Sequence, residues 1–238
     1  MAYRKITYTA GPYKAVEKSH TRRLKGGPRA KKEAETSEAV RAENHRRRIR
    51  LCQLLIMANF QPGDLFLDLT YEKSKRPEDI QEAKQIFREF MRKLKRKAKK
   101  AGLETKWIMT TEKGERGACH HHVIINDEPR IQRWITELWN KGVVHFQHIY
   151  DPGDGFMRLA EYMVKQAKAG EQVGVSYSRS RNLIVPQAKE EIVENTGTWR
   201  PDPKPEKGYV ILKETIRNGV NQVTGYPWQR YVMVKAGR

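Results

Sequence analysis

The chain has 238 residues, enough for one well-cored domain with appendages and too few for two full-sized ones. Hydrophobic content is 38% and charged content 32%; no apolar run approaches the roughly 18 residues that span a bilayer, and the start MAYRKITYTAG lacks the apolar core of a secretory signal, so a cytoplasmic protein with no membrane partner is expected. A formal charge of +19 calls for a polyanionic partner, nucleic acid before a ribosome or a merely basic surface, because each phosphate neutralised releases counterions.

Residues 1–50 hold 15 Lys or Arg against 5 acidic residues, and the first 30 carry Gly-Pro and Gly-Gly-Pro breakers with little apolar periodicity, which predicts a flexible basic arm. From Lys31 to Asn59 the composition turns helical and apolar, until Gln61-Pro62-Gly63-Asp64 stops it. Leu65 to Tyr71 reads as a strand with Leu65, Leu67 and Leu69 on one face and Phe66, Asp68 and Thr70 on the other. Pro77 opens a helix through about Lys100, its apolar face marked by Ala83, Phe87, Phe90, Met91 and Leu94 and its other face dense in Lys and Arg. Gly102 suits its C-terminus.

KWIMTTE (106–112) and CHHHVIIN (119–126) predict two strands around the turn KGERG. A short helix over 129–141, a strand VVHFQHIYD, the turn Asp151–Gly155 and a helix from Phe156 to Lys168 follow. After SYSRSRNL and a Pro-rich linker (RPDPKPEKG), the runs GYVILKETI and WQRYVMVK predict a C-terminal hairpin joined around Asn218-Gly219 and further turn residues. The order strand, helix, strand, strand, helix, strand, helix suits an antiparallel sheet covered by helices, the α+β class.

The sharpest chemistry lies in His120-His121-His122. On a strand, His120 and His122 share a face with Ile124 while His121 points away; two imidazoles so placed can share a divalent ion and leave positions open for phosphate oxygens. A satisfied histidine cluster is the bland alternative. Glu112, at the end of the preceding strand, is the preferred third ligand, with Glu115 in the turn as competitor. Cys119 falls on the opposite face; neither it nor Cys52 has CxxC spacing, so no zinc site or disulfide framework is expected and a reducing compartment fits. Tyr162 and Lys165 lie three apart on a helix, where an ammonium can favour a phenolate or stabilise charge at a phosphate. Tyr177, Arg179 and Arg181, interleaved with serines, suit base stacking and phosphate contacts. His145 and His148 are peripheral candidates.

ANFQPGDLFLDLTY, TTEKGERGACHHHVIIN, LAEYMVKQ and SYSRSRNL, in that order, resemble the HUH superfamily of single-strand endonucleases, and within it the rolling-circle replication initiators of small plasmids and Gram-positive phages, more distantly the filamentous-phage gene II replication protein. The resemblance implies a central antiparallel RRM-like sheet flanked by helices, with a basic N-terminal extension and a C-terminal β-rich tail. It implies Mg2+ or Mn2+ on His120, His122 and Glu112, and Tyr162 as nucleophile beside Lys165. The reaction it implies is nicking of single-stranded origin DNA, leaving a 5′-phosphotyrosine and a free 3′ hydroxyl. The domains expected are a flexible arm (1–30), an endonuclease domain with its leading helix (31–190), and a linker with a C-terminal hairpin (191–238).

Three departures from the family pattern stand out. His121 occupies a usually hydrophobic position and competes for the metal if the register differs. Position 166 is Gln, so the arrangement is one-tyrosine, and termination needs a second subunit, making a homo-oligomer a candidate state, or another nucleophile. Asp68 stands where a neutral residue is usual, as a contributor to metal chemistry or as a local polar position. With no GxxxxGK[ST], a separate helicase or supercoiling must part the strands. The rival readings are a relaxase or transposase of the same chemistry, and a noncatalytic nucleic-acid binder on the same sheet.

Overall fold

The structure, a computed structural model, describes residues 2–20, 38–114, 117–164, 177–194, 197–222 and 224–237. They form an α+β protein with two antiparallel five-stranded sheets and divide into two compact units. One unit comprises residues 60–150 and 162–183; the other comprises residues 1–59, 151–161 and 184–238.

The unit holding residues 60–150 is built on β3 (Leu65–Leu69), β4 (Trp107–Lys113), β5 (Cys119–Ile125), β6 (Val144–His148) and β7 (Ser178–Arg179), in the order β6-β3-β5-β4-β7. Residue parity divides it into two faces. Leu65, Leu67, Leu69, Met109, Val123 and Ile125 share the back face and are buried against Phe87, Phe90, Met91 and Leu94 of α2 (Ile80–Lys100) and Ile131, Trp134 and Ile135 of α3 (Ile131–Leu138). Phe87 is fully buried, and truncating it to Ala would cost about 3–5 kcal/mol.

The Pro77-Glu78-Asp79 entry explains where α2 starts. Asp79 caps it by accepting from the Glu82 backbone N–H at 2.7 Å, while the Glu82 carboxylate accepts from the Glu78 N–H at 2.7 Å, a variant of the capping box worth about 1 kcal/mol. The helix begins at Ile80, three residues after the Pro77 read as its opening. It ends as Gly102 takes a positive φ and Leu103 N–H reaches back to Ala98 O.

The other unit holds β1 (Tyr3–Ala10), β2 (Tyr13–Ser19), α1 (Glu38–Asn59), β8 (Ala188–Val193), β9 (Tyr209–Val220) and β10 (Pro227–Lys235), with sheet order β8-β1-β2-β10-β9. This corrects the flexible arm expected over residues 1–30: residues 3–19 are a β-hairpin, and 21–30 lie outside the described residues. Gly11 makes the two-residue turn, with φ +58° and its α-carbon so close to the Met57 carbonyl that a Cβ would sit 2.8 Å from that oxygen. The leading helix and the C-terminal hairpin, expected as parts of two separate domains, instead join this one unit. Of the residues expected at the hairpin turn, Asn218-Gly219 lie within β9, and beyond them Asn221 N–H donates to Tyr226 O.

The unit's ionic centre lies among Glu17, Glu43, Arg50 and Arg230, with Arg50 Nε 3.1 Å from Glu17 Oε1. The Pro-rich linker runs over one sheet face: Trp199 stacks on His20 at 5.0 Å, Gln229 donates to the carbonyls of Arg200 and Pro201, and Lys14 pairs with Glu206.

A candidate active site on the front face of the histidine sheet

Cross-strand register decides which side chains meet. On β5 the front face carries His120, His122 and Ile124. Opposite them on β4 stand Glu112, Thr110 and Ile108. On the other side, β3 places Asp68 opposite His122 and Phe66 opposite Ile124. Beyond β3, His145 of β6 lies opposite Asp68. On the far edge, Arg179 of β7 pairs with Ile108, so it stands on the same front face. Glu112, Thr110, His120, His122, Asp68 and His145 thus occupy one end of the face, and buried Ile108 and Ile124 the other, with Arg179 at its edge.

His122 is the hub. Its Nδ1 hydrogen-bonds Asp68 Oδ1, and its Nε2 lies 3.1 Å from Glu112 Oε2. Phe66 stacks on its ring at 5.9 Å with an interplanar angle of 16°. The Tyr162 hydroxyl, at the end of α4 (Met157–Met163), lies 3.2 Å from both ring nitrogens. Equal distances put that hydroxyl off the lone-pair axis of either nitrogen, so the contact positions the phenol against the imidazole without forming an aligned bond. Phe66 also meets the Tyr162 ring edge-on at 5.7 Å, fixing the phenol from a second side.

The hydrogen-bond inventory of His122 has a chemical consequence. A neutral imidazole has one N–H and one lone pair, yet both nitrogens face carboxylate oxygens. With Nδ1–H on Asp68, the Nε2 lone pair would face Glu112 acceptor to acceptor. Either a second proton or a cation relieves that clash. Two imidazoles and a carboxylate on one face form a mixed nitrogen and oxygen donor set, in which the carboxylate suits Mg2+ or Mn2+ and the imidazoles suit first-row transition ions. The His120 and His122 rings lie 5.9 Å apart, centroid to centroid. Among the described residues no three His, Cys, Asp or Glu side chains are gathered closely enough to hold an ion as they stand.

His120 has its own spatial requirement. A Cβ on Gly114 would come within 3.0 Å of His120 Cε1 and 3.3 Å of Nε2, so this glycine makes room for the imidazole. Neither Gly114 nor Phe66 is singled out by its residue type. Asp68 did carry a signal, a charge in an otherwise apolar strand, and the structure hydrogen-bonds it to His122.

His121 faces the other way. It is fully buried on the back face, held by Tyr71 Oη at 2.8 Å on Nε2 and Thr111 Oγ1 at 2.9 Å on Nδ1. Burial, followed by the neighbouring His122 and His120, pushes its pKa down to about 3, so the ring is neutral. It does not compete for the front-face site. Cys119 shares its face and is buried; burial raises its thiol pKa and that of Cys52, the latter to about 12.

Of the other sequence-derived candidates, Arg181 is exposed just after β7, and Tyr177 is half-buried just before it. Ser180 and Asn182 of the same segment anchor the backbone: Ser180 N–H donates to Trp107 O at 2.9 Å, and Asn182 donates to Glu104 Oε1 at 2.9 Å and to Thr105 O. His148 points to the back and bonds Gly63 O at 2.7 Å. Lys165, Gln166 and Glu115 lie outside the described residues.

Residues 64–167 match the family of replication-associated proteins described by ORF2 and the phage gene II protein. No curated protein and no solved structure matches the chain. The matched segment runs from β3 to α4 and contains Asp68, Glu112, His120, His122 and Tyr162. The match bears out the resemblance to rolling-circle initiators read from the motifs.

Proposed function

We propose that this protein is a replication initiator that nicks single-stranded origin DNA by tyrosine transesterification. The observation that carries the proposal is the placement of the Tyr162 hydroxyl 3.2 Å from the imidazole of His122, on the face where Glu112 and His120 also stand. A noncatalytic sheet binder has no use for a half-exposed phenol held against a histidine that two carboxylates flank.

In the proposed reaction the Tyr162 oxygen attacks the scissile phosphorus. A Tyr162 Oη–P bond forms and the P–O3′ bond breaks, leaving the 5′ phosphoryl on the tyrosine. The phenolic proton passes to solvent water, and the departing 3′ oxygen takes up a proton from water to become the free hydroxyl that primes synthesis. His120, His122 and Glu112 would hold Mg2+ or Mn2+. When bound, that ion supplies charge stabilisation to the phosphodiester oxygens. Asp68 fixes His122 so that Nδ1 carries the proton and Nε2 presents its lone pair. Phe66 holds the phenol and the imidazole at a fixed angle. Lys165, three residues along the sequence from Tyr162, supplies the cation that the YxxK pattern of this resemblance calls for.

Arg179 at the edge of the front face, with Arg181 and Tyr177 beside it, contacts the single strand leading to the site. Strand separation comes from a separate helicase or from supercoiling. With one tyrosine in the motif, release of the second strand end uses a second copy of the chain or another nucleophile.

The test is incubation with an origin-containing single-stranded oligonucleotide and Mn2+, resolved on a denaturing gel. The proposal expects a covalent protein–DNA band, abolished by EDTA and in His122→Ala. Cleavage that survives both EDTA and that substitution would exclude the metal from the reaction.

A further inference from the structure

The solvent face of α2 carries Arg88, Arg92, Lys95, Arg96, Lys99 and Lys100, all exposed. None of the six has an acidic partner among the described residues; the nearby Lys97 has Glu137. Five of them, Arg92, Lys95, Arg96, Lys99 and Lys100, line one shallow depression.

Two ordinary explanations cover only part of this. Cations in the last turn complement the helix dipole, but that reaches Lys99 and Lys100, not Arg88 or Arg92 two turns upstream. A solvated helical face normally interleaves signs; here Glu89 is the one exposed acidic residue beside this stripe, whereas Arg88–Arg92, Arg92–Arg96, Lys95–Lys99 and Arg96–Lys100 are like-charge neighbours four apart, an arrangement that destabilises a bare helix. A polyanion relieves that repulsion.

The fold then says which polyanion. The apolar side of α2 is buried on the back of the sheet, whereas His120, His122 and Tyr162 act on the front. A strand lying across the tyrosine therefore runs over the other layer. The exposed face of α2 also has no aromatic residue, since Phe87 and Phe90 are buried, so it offers no stacking platform of the kind that captures unpaired bases. From Arg88 to Lys99 the stripe runs about 16 Å along the helix, facing a duplex that presents one charge per about 1.7 Å.

We propose that the basic face of α2 binds the sugar-phosphate backbone of duplex DNA, without reading sequence, at a surface separate from the nicking face. This rests on the reading that the chain acts on DNA and not on the chemistry of the nick.

The experiment is fluorescence anisotropy of a 20-base-pair duplex of arbitrary sequence across a NaCl series, for the full chain and for the combined variant Arg92→Gln, Arg96→Gln and Lys99→Gln. All three positions are exposed, and circular dichroism checks that the helix persists. We expect duplex affinity to fall on the order of tenfold and the salt slope to shrink by about 2–3, at roughly 0.9 per phosphate that the variant no longer neutralises. Affinity for a 10-nucleotide single strand should change less than about twofold, since it depends on base stacking elsewhere. Unchanged duplex affinity and slope overturn the proposal. So does an equal loss on the single strand, or wild-type binding to anionic vesicles or an acidic peptide that outcompetes the duplex. A chain that forms no covalent adduct yet shows the duplex-specific loss upholds this surface and refutes the nicking reading; an adduct with unaltered duplex binding does the reverse.

Discussion

Asp68 and His122 stand directly opposite each other on β3 and β5, and the histidine Nδ1 is hydrogen-bonded to the aspartate. In the proposed metal site, this bond makes Asp68 the residue that leaves Nε2 of His122 to coordinate. Asp68→Asn keeps the shape but removes the charge and allows the amide to present either end. We expect the Mn2+ concentration that supports half-maximal cleavage to rise about 10- to 100-fold, with thermal stability nearly unchanged. An unaltered Mn2+ midpoint would reduce Asp68 to a structural neighbour.

The room left by Gly114 gives a second expectation. Its own φ is not of the left-handed kind, so Ala there is resisted by the His120 ring rather than by the backbone. Gly114→Ala should displace that ring by a few tenths of an ångström, lower metal affinity severalfold, and leave the unfolding midpoint within about 2 °C. Isothermal titration with Mn2+ and a thermal melt read the two effects separately. Equal metal affinity in the variant would show that His120 has space to spare.

How much of this was legible in the sequence follows from which contacts are local. The front-face grouping of His120, His122 and Glu112 could be read because strand parity has a period of two and the connecting turn is short. The partnership of Asp68 with His122 spans 54 positions and depends on register between strands that a helix and another strand separate. No local pattern fixes that. The β1–β2 hairpin was obscured for a related reason. Gly11-Pro12 does mark a turn, but Arg4-Lys5 breaks the apolar alternation of the first strand, and the sheet is completed by β8 and β10, nearly 200 residues downstream. The basic face of α2 was plain from composition; its position on the layer opposite the histidines required the fold.

His121 carries a pH expectation whose sign can be worked out. Its folded pKa, about 3, is below the ordinary value of 6.5, so the unfolded chain takes up a proton first as pH falls. The contribution is complete above about pH 6.5 and is lost as pH falls toward 3. One pKa unit corresponds to about 1.4 kcal/mol, so metal-free protein at pH 5 should be less stable than at pH 7.5 by roughly 2 kcal/mol from this residue. Urea unfolding at the two pH values measures it, with His121→Gln as the nontitrating reference. If the wild type and that variant lose the same stability on acidification, the buried neutral histidine is not the cause.

The proposed nucleophile is a single oxygen atom, and the covalent adduct identifies it. Digestion of the protein–DNA band formed on a single-stranded origin oligonucleotide, followed by mass spectrometry, locates the modified residue. We expect a 5′-phosphoryl nucleotide on Tyr162 and no adduct in Tyr162→Phe, with DNA binding retained. A nucleotide found on Tyr150 or Tyr177, or an adduct undiminished in Tyr162→Phe, would refute that assignment.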